Sequence, residues 1–265
     1  MSRPLPHALL KQLVTEFGAP PVLAIALSGS AARQADDQFS DLDLVCYVPA
    51  SAPTREWLGY RDDRLVSIDH QHVEARLHDL TDPEGAVRAV RPLQRLVPLH
   101  DPDGVVERLR QTALDFRWAS VAGQGRAYAA RTVTHQAEVV QKLLGGLAYG
   151  QSSRVWSAAT ELVNAMTVCI AVWHGVLVDS GNTYAQQVWS FVGEQSTWTR
   201  SFRSATGLDE ATTLTQRAWS ALALYTETAQ RVAPALGGPD AEVVARVIER
   251  VGAVRTRLVP QQAHE

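Results

Sequence analysis

The chain has 265 residues, 46% of them hydrophobic, enough to bury a sizeable core and to form two domains. Its formal charge of −3 argues against a nucleic-acid partner, which calls for a basic face. Cys46 and Cys169 each sit in an apolar run, as buried thiols of a reducing, cytoplasmic setting do; MSRPLPHALLKQL lacks a signal peptide's apolar stretch, and Val163 to Val178 is short and polar for a membrane span.

In chain order, Val22 to Leu27 is a short apolar run, the pattern of a buried strand. Gly29 follows, where the backbone must turn sharply. Ala31 to Ala35 can begin a helix whose free N–H groups face back towards that turn. A second strand begins near Asp41. Leu42, Leu44 and Cys46 take one face, so Asp41 and Asp43 share the other. Two carboxylates that close resist joint ionisation unless a cation lies between them. Mg²⁺ suits the pair, because it takes one or two carboxylates and leaves positions for phosphate oxygens.

A third acid is expected on a later strand within Arg64 to Leu80. Taking Val73, Ala75 and Leu77 as its buried face puts Glu74 on the polar side with the aspartates. Asp69 is the rival, and a one-residue slip in register would favour it. His70, His72 and His78 share Glu74's parity. No further His or Cys completes a zinc set with them, so a polar strand face is the plainer reading. His72 is the one best placed to line an acceptor pocket. Leu96 to His100 reads as a last short strand. Asp101-Pro102-Asp103-Gly104 is a turn, and Val105 to Leu114 a helix.

A boundary near residue 115 separates unlike halves. Residues 1–115 carry 17 acids and 12 bases, and residues 116–265 carry 11 and 13. The second half has helical periodicity over Gln124 to Leu147, Ser152 to Trp173, Thr183 to Phe191, Asp209 to Ala233 and Pro239 to Leu258, a helical bundle. Asp209 is the expected cap of the fourth, and Pro234 its stop. His135, Glu138 and Lys142 fall on one face of the first. A solvated face is the plainer reading. The functional one has the stripe cover the active site, with Lys142 holding a phosphate and His135 and Glu138 meeting the acceptor. The Trp residues of this half belong to the core before any ligand pocket.

The run LSGSAARQADDQFSDLDLV resembles the signature of the DNA polymerase β-like nucleotidyltransferase superfamily: Gly-Ser, about ten residues, then Asp-apolar-Asp-apolar. Gln34 stands where a Gly often follows the Arg of that signature. The resemblance implies an α+β nucleotidyltransferase domain, a mixed sheet with flanking helices, over residues 1–115. An all-α bundle over 116–265 would bind the acceptor and dimerise. It implies Mg²⁺ on Asp41, Asp43 and Glu74, with Glu74 as ligand or general base. ATP or another nucleoside triphosphate would be held by Ser28, Gly29, Ser30 and Arg33. The layout is similar to two-domain lincosamide nucleotidyltransferases, and more distantly to aminoglycoside adenylyltransferases. Transfer of AMP to a hydroxyl of an antibiotic is therefore expected, in a cytoplasmic homodimer with no nucleic-acid or membrane partner. Adenylylation of a protein partner, antitoxin-like, and a non-catalytic nucleotide-binding module are the alternatives.

Overall fold

The apolar run before Gly29 forms β1, Ala24–Leu27, buried at every position. It belongs to a five-stranded sheet with β2, Leu42–Val48, β3, Glu56–Arg61, β4, Arg64–His72, and β5, Val97–His100, in the order β3-β4-β2-β1-β5. The computed structural model describes residues 7–209 and 212–258. β2 and β4 run parallel and the other neighbours antiparallel, so the sheet is mixed.

Period-two burial assigns the two faces. Ile25, Leu27, Leu42, Leu44, Cys46, Val66 and Ile68 pack under α1, His7–Phe17, through Leu9, Leu10 and Leu13. Ala24, Ala26, Val45 and Tyr47 meet two helices on the other side, α4, Pro83–Gln94, and α5, Val105–Asp115. An aspartate accepts from the first-turn amides of each. Asp82 accepts from Gly85 N at 2.7 Å ahead of Pro83, and Asp101 accepts from Val105 N at 2.6 Å. Such caps satisfy backbone donors that have no partner inside the helix.

Two expectations about this half are corrected. The helix expected over Ala31 to Ala35 is the single turn α2, Gly29–Ala32. The strand expected to continue to Leu80 ends at His72, and α3, Val73–Asp79, follows with no buried residue. Glu, Ala, Arg and Leu are good helix formers, and no neighbour buries an alternating face to override them. β3 was not anticipated. It pairs with β4 through a two-residue turn in which Asp62 and Asp63 both have positive φ, as tight hairpins require.

The chain divides into two compact units, Met1–Val121 with Leu177–Thr183, and Ala122–Val176 with Tyr184–Glu265. The boundary drawn near residue 115 thus falls at Val121, because Phe116 and Trp118 pack on the core of the first unit. A strap, Leu177–Thr183, also belongs to that unit. Leu177 packs on its core, and Val178 N donates to Val87 O at 2.9 Å.

The second unit contains α6, Ala122–Ala148, α7, Ser152–His174, α8, Tyr184–Val192, α9, Thr197–Thr206, α10, Leu214–Val232, and α11, Gly238–Leu258. α6 runs through Gly145-Gly146 and ends at Ala148, one residue past the expected Leu147. A side chain at Gly146 would press on Val155 of α7, so the glycine serves close packing. The helix expected over Asp209 to Ala233 is α10, which starts later, at Leu214; α9 precedes that range and was not anticipated. Thr213 caps α10 in a capping box with Gln216, while Asp209 pairs with Arg203; residues 210 and 211 lie outside the described residues. α7 has the length and hydropathy to cross a membrane, but Leu162, Met166, Cys169, Ile170 and Val172 are buried inside this unit. That burial is the signature of a core helix.

Candidate active site

Antiparallel pairing sets Leu27 of β1 opposite Leu44 of β2, and Ser28 N donates to Asp43 O at 2.9 Å. The next residue, Gly29, leaves the sheet at φ +64°. A methyl group at Gly29 would overlap Asp43 Oδ2 and stand 2.8 Å from Cγ. Only glycine fits both the backbone and the space. Gly29, Ser30, Arg33, Asp41 and Asp43 line one cavity of about 340 Å³. Both motif ends, expected to meet from sequence, are thus brought together.

Burial pushes the Asp43 carboxyl above its ordinary range, the Asp41 charge pushes it further, and Arg33 works against both. Charge of one sign has been gathered here with only partial compensation. A divalent cation between Asp41 and Asp43 fits the donor set. Among the described residues, no three His, Cys, Asp or Glu side chains form a ready metal cluster.

The connection from α2 to Asp41 is pinned by a buried ion pair, Arg64 Nη2 to Asp36 Oδ2 at 2.8 Å, with both side chains 2% exposed. Asp37 closes a smaller turn by accepting from Phe39 N at 2.8 Å and Ser40 Oγ at 3.0 Å. Phe39 is left 86% exposed on the cavity rim. Gln34 has φ +56°, so the sequence departs from the signature's glycine at a left-handed position. Gln34→Gly is expected to raise the unfolding free energy by about 1 kcal/mol, read from the denaturant midpoint.

The third carboxylate needs correction. Parallel register pairs Asp43 with Ser67 and Val45 with Asp69, so Asp69 is on the face of Asp43. Glu74 is not on the strand at all; it is exposed in the first turn of α3. Its assignment assumed one uninterrupted strand, and the end of β4 at His72 removes that premise. Asp69 accepts from Gln71 Nε2 and lines a larger cavity of about 520 Å³ with Arg55, Glu56, His72 and Arg76. His72 is therefore beside Asp69, with Nε2 at 2.8 Å from Ala52 O.

Sequence reasoning missed the strap. Ser180 and Asn182 line the Asp41–Asp43 cavity, and Arg33 Nη1 donates to Asp179 O at 3.3 Å. No local pattern links residues 177–183 to a motif that ends at residue 44. Phe39 was nearer to hand, since a large aromatic inside a polar loop is a signal of contact.

Lys142, His135 and Glu138 lie on α6 in the second unit, and all three are exposed. Lys142 Nζ is 2.9 Å from Glu138 Oε1, an i,i+4 pair that lowers the Glu138 carboxyl and raises the Lys142 amine. This is the solvated helix face. Of the tryptophans in this unit, Trp198 is fully buried with Nε1 donating to Thr228 Oγ1, whereas Trp156 is 63% exposed beside a groove of about 270 Å³ with Asn164 and Arg217.

No protein-family model matches the chain, and no curated protein does. Among solved structures, a nucleotidyltransferase-like protein from Exiguobacterium sibiricum is similar to it, with a TM-score of 0.53 and 14% identity, over 91% of this chain and 78% of that one. The likeness shows the fold: a nucleotidyltransferase-like mixed sheet with flanking helices, followed by a long helical region.

Proposed function

We propose that this protein is a nucleotidyltransferase that moves AMP from ATP to a hydroxyl of a small molecule and releases pyrophosphate. The observation that carries the reading is the Gly29 backbone against the Asp43 carboxylate, in one cavity with Asp41, Ser30 and Arg33. Asp41 and Asp43 would hold Mg²⁺. That ion, when bound, offsets charge that builds on the leaving pyrophosphate. Ser30 Oγ and the amides of the turn donate to phosphate oxygens, and Arg33 adds a positive charge.

The acceptor oxygen attacks the α-phosphorus as the bond to the bridging oxygen of the β-phosphate breaks, and the electron pair leaves with pyrophosphate. Asp69, on the face of Asp43, takes the acceptor's proton as general base. Asp69→Asn is expected to lower kcat about a hundredfold to ten-thousandfold. Glu74→Gln, an exposed change on α3, leaves kcat within about twofold. Steady-state rates of the two variants decide between the carboxylates.

The acceptor we favour is an amphipathic hydroxylated antibiotic, a lincosamide ahead of an aminoglycoside. A polycation needs a carboxylate for each desolvated ammonium, and the second half of the chain is slightly basic and rich in Trp. The test is pyrophosphate release from ATP and Mg²⁺ over a panel of both classes, with Asp41→Asn as control. Release that requires one acceptor, and a product heavier by one AMP, supports the reading. Folded protein that binds ATP yet releases nothing with any of them sinks the antibiotic assignment.

A further inference from the structure

A second cavity opens from the same turn. It measures about 200 Å³ and shares Gly29, Arg33 and Ser180 with the first, but its far side is formed by Pro92, Arg95 and Asp179. The two ends differ in charge. Asp41 and Asp43 stand at one; two guanidiniums stand at the other. Arg95 Nη2 is 3.0 Å from Asp179 Oδ1, while Arg33 Nη1 reaches the backbone oxygen of the same residue at 3.3 Å. The carboxylate meets Arg95 and the backbone carbonyl meets Arg33, so two guanidiniums gather around one acidic side chain and the end as a whole stays cationic.

The Arg95–Asp179 pair is too exposed to be there for stability, with 43% and 34% of the side chains open to solvent. What it does is aim. Asp179 sits on the strap, which is fixed at Val178 by its bond to Val87 O, so the carboxylate turns Arg95 towards the cavity that Arg33 and Ser180 also face. Two guanidinium forks converging on one space suit phosphate oxygens, which they bind with charge-assisted, often paired hydrogen bonds.

We propose that Arg95 is a phosphate-binding residue, and that Arg95, Arg33 and the strap residue Ser180 form the anchor for the terminal phosphates of a nucleoside triphosphate. The proposal rests on the nucleotidyl-transfer reading above. In it the triphosphate lies along both cavities, with its α-phosphate towards Asp41 and Asp43 and its β- and γ-phosphates towards the arginines. The strap then belongs to the nucleotide site, although the helices of the second unit flank it in sequence.

The test compares ligands that differ only in the terminal phosphates. Affinities of the full-length protein for the α,β-methylene analogue of ATP and for AMP, both with Mg²⁺, are measured on wild type, Arg95→Gln and Arg95→Lys, with circular dichroism to verify folding. Loss of one charge-assisted contact is expected to weaken the triphosphate about tenfold in Arg95→Gln. AMP affinity stays unchanged, and Arg95→Lys recovers part of the loss. Should Arg95→Gln not fold, Asp179→Asn carries the same test: it releases Arg95 from its orienting partner and weakens the triphosphate alone, severalfold. Equal triphosphate affinity in the variants overturns the proposal, and so does an equal loss for AMP, which would mark a structural role. Wild-type protein that binds neither ligand overturns the nucleotide reading itself, and that result precedes any variant.

Discussion

Asp43→Asn is expected to lose about a thousandfold or more in turnover and yet to melt higher than the wild type in EDTA at pH 7. The first half follows from removing charge at the point where the proposed reaction must stabilise the transferring group, usually the largest contribution to catalysis. The second follows from the environment of Asp43, half-buried against Gly29, where burial and the Asp41 charge raise its carboxyl above the ordinary value. An acid whose folded pKa is raised costs the fold stability as pH climbs through the unfolded value, and the loss levels off above the folded value. Asparagine cannot ionise and escapes that loss. The variant's advantage is therefore present at pH 7, shrinks as pH falls through the ordinary carboxylate range, and is gone below it. Calorimetry in EDTA across pH 3 to 7 reads this directly. Adding Mg²⁺ is expected to raise the wild type's Tm and to leave the variant's unmoved, since only the wild type keeps both ligands. A variant that melts lower than wild type at pH 7 would mean that the carboxylate is paired in the fold and the site is not poised for a cation.

Gly29→Ala carries the other large effect. The backbone at φ +64° costs any L residue about 1–2 kcal/mol. The added carbon also overlaps Asp43 Oδ2, so either the turn or the carboxylate must move. A shift of about an ångström in such a site costs about a hundredfold in rate. The two causes can be separated. Gly104 has nearly the same φ, +65°, with its nearest neighbour 3.8 Å away, so Gly104→Ala is expected to lower stability alone and to leave kcat intact. Gly29→Asn relieves part of the backbone strain, because Asn tolerates the left-handed region, but it keeps the clash. Its kcat should be as low as that of Gly29→Ala. Recovery in the Asn variant would show that strain, and not contact with Asp43, sets the requirement for glycine.

The first strand pair was legible because its signals are local and redundant. An apolar run, a glycine and alternation around Asp41 and Asp43 all point to the same two strands, and the observed register sets Leu44 opposite Leu27. Leu42, Leu44 and Cys46 face α1 as their parity required. The third carboxylate was not legible, since parity is only as good as the assumed length of the strand. His72 ends β4, and the helix-forming residues after it were read with period two where period 3.6 governs. The start of α10 was set too early because Asp209 looked like a cap, although it pairs with Arg203 and Thr213 caps the helix. Arg95 and the strap carry no sequence signal, for their role depends on where a distant segment returns. The exposed stripe His135, Glu138 and Lys142 shows the reverse error: a charged helix face offers chemistry at every turn, and here Lys142 and Glu138 satisfy each other.

Because the strap is made late, the ribosome imposes an order on this protein. Residues 1–121 can leave the exit tunnel and begin to collapse around β1 and β2, but the strap follows only after all of Ala122–Val176 has been synthesised. Domains generally fold as units during synthesis, and here the first unit lacks Asp179, Ser180 and Asn182 when its sheet is already complete. A nascent chain at that stage would display Asp41 and Asp43 with one wall of their cavity absent. The complete cavity lining thus arrives with the start of α8 and not with the end of the sheet, and a fragment cut after Val121 lacks the strap. The same arrangement constrains any chimera: a helical unit grafted in as a cassette must bring along a strap that fits Arg33 and the turn at Gly29.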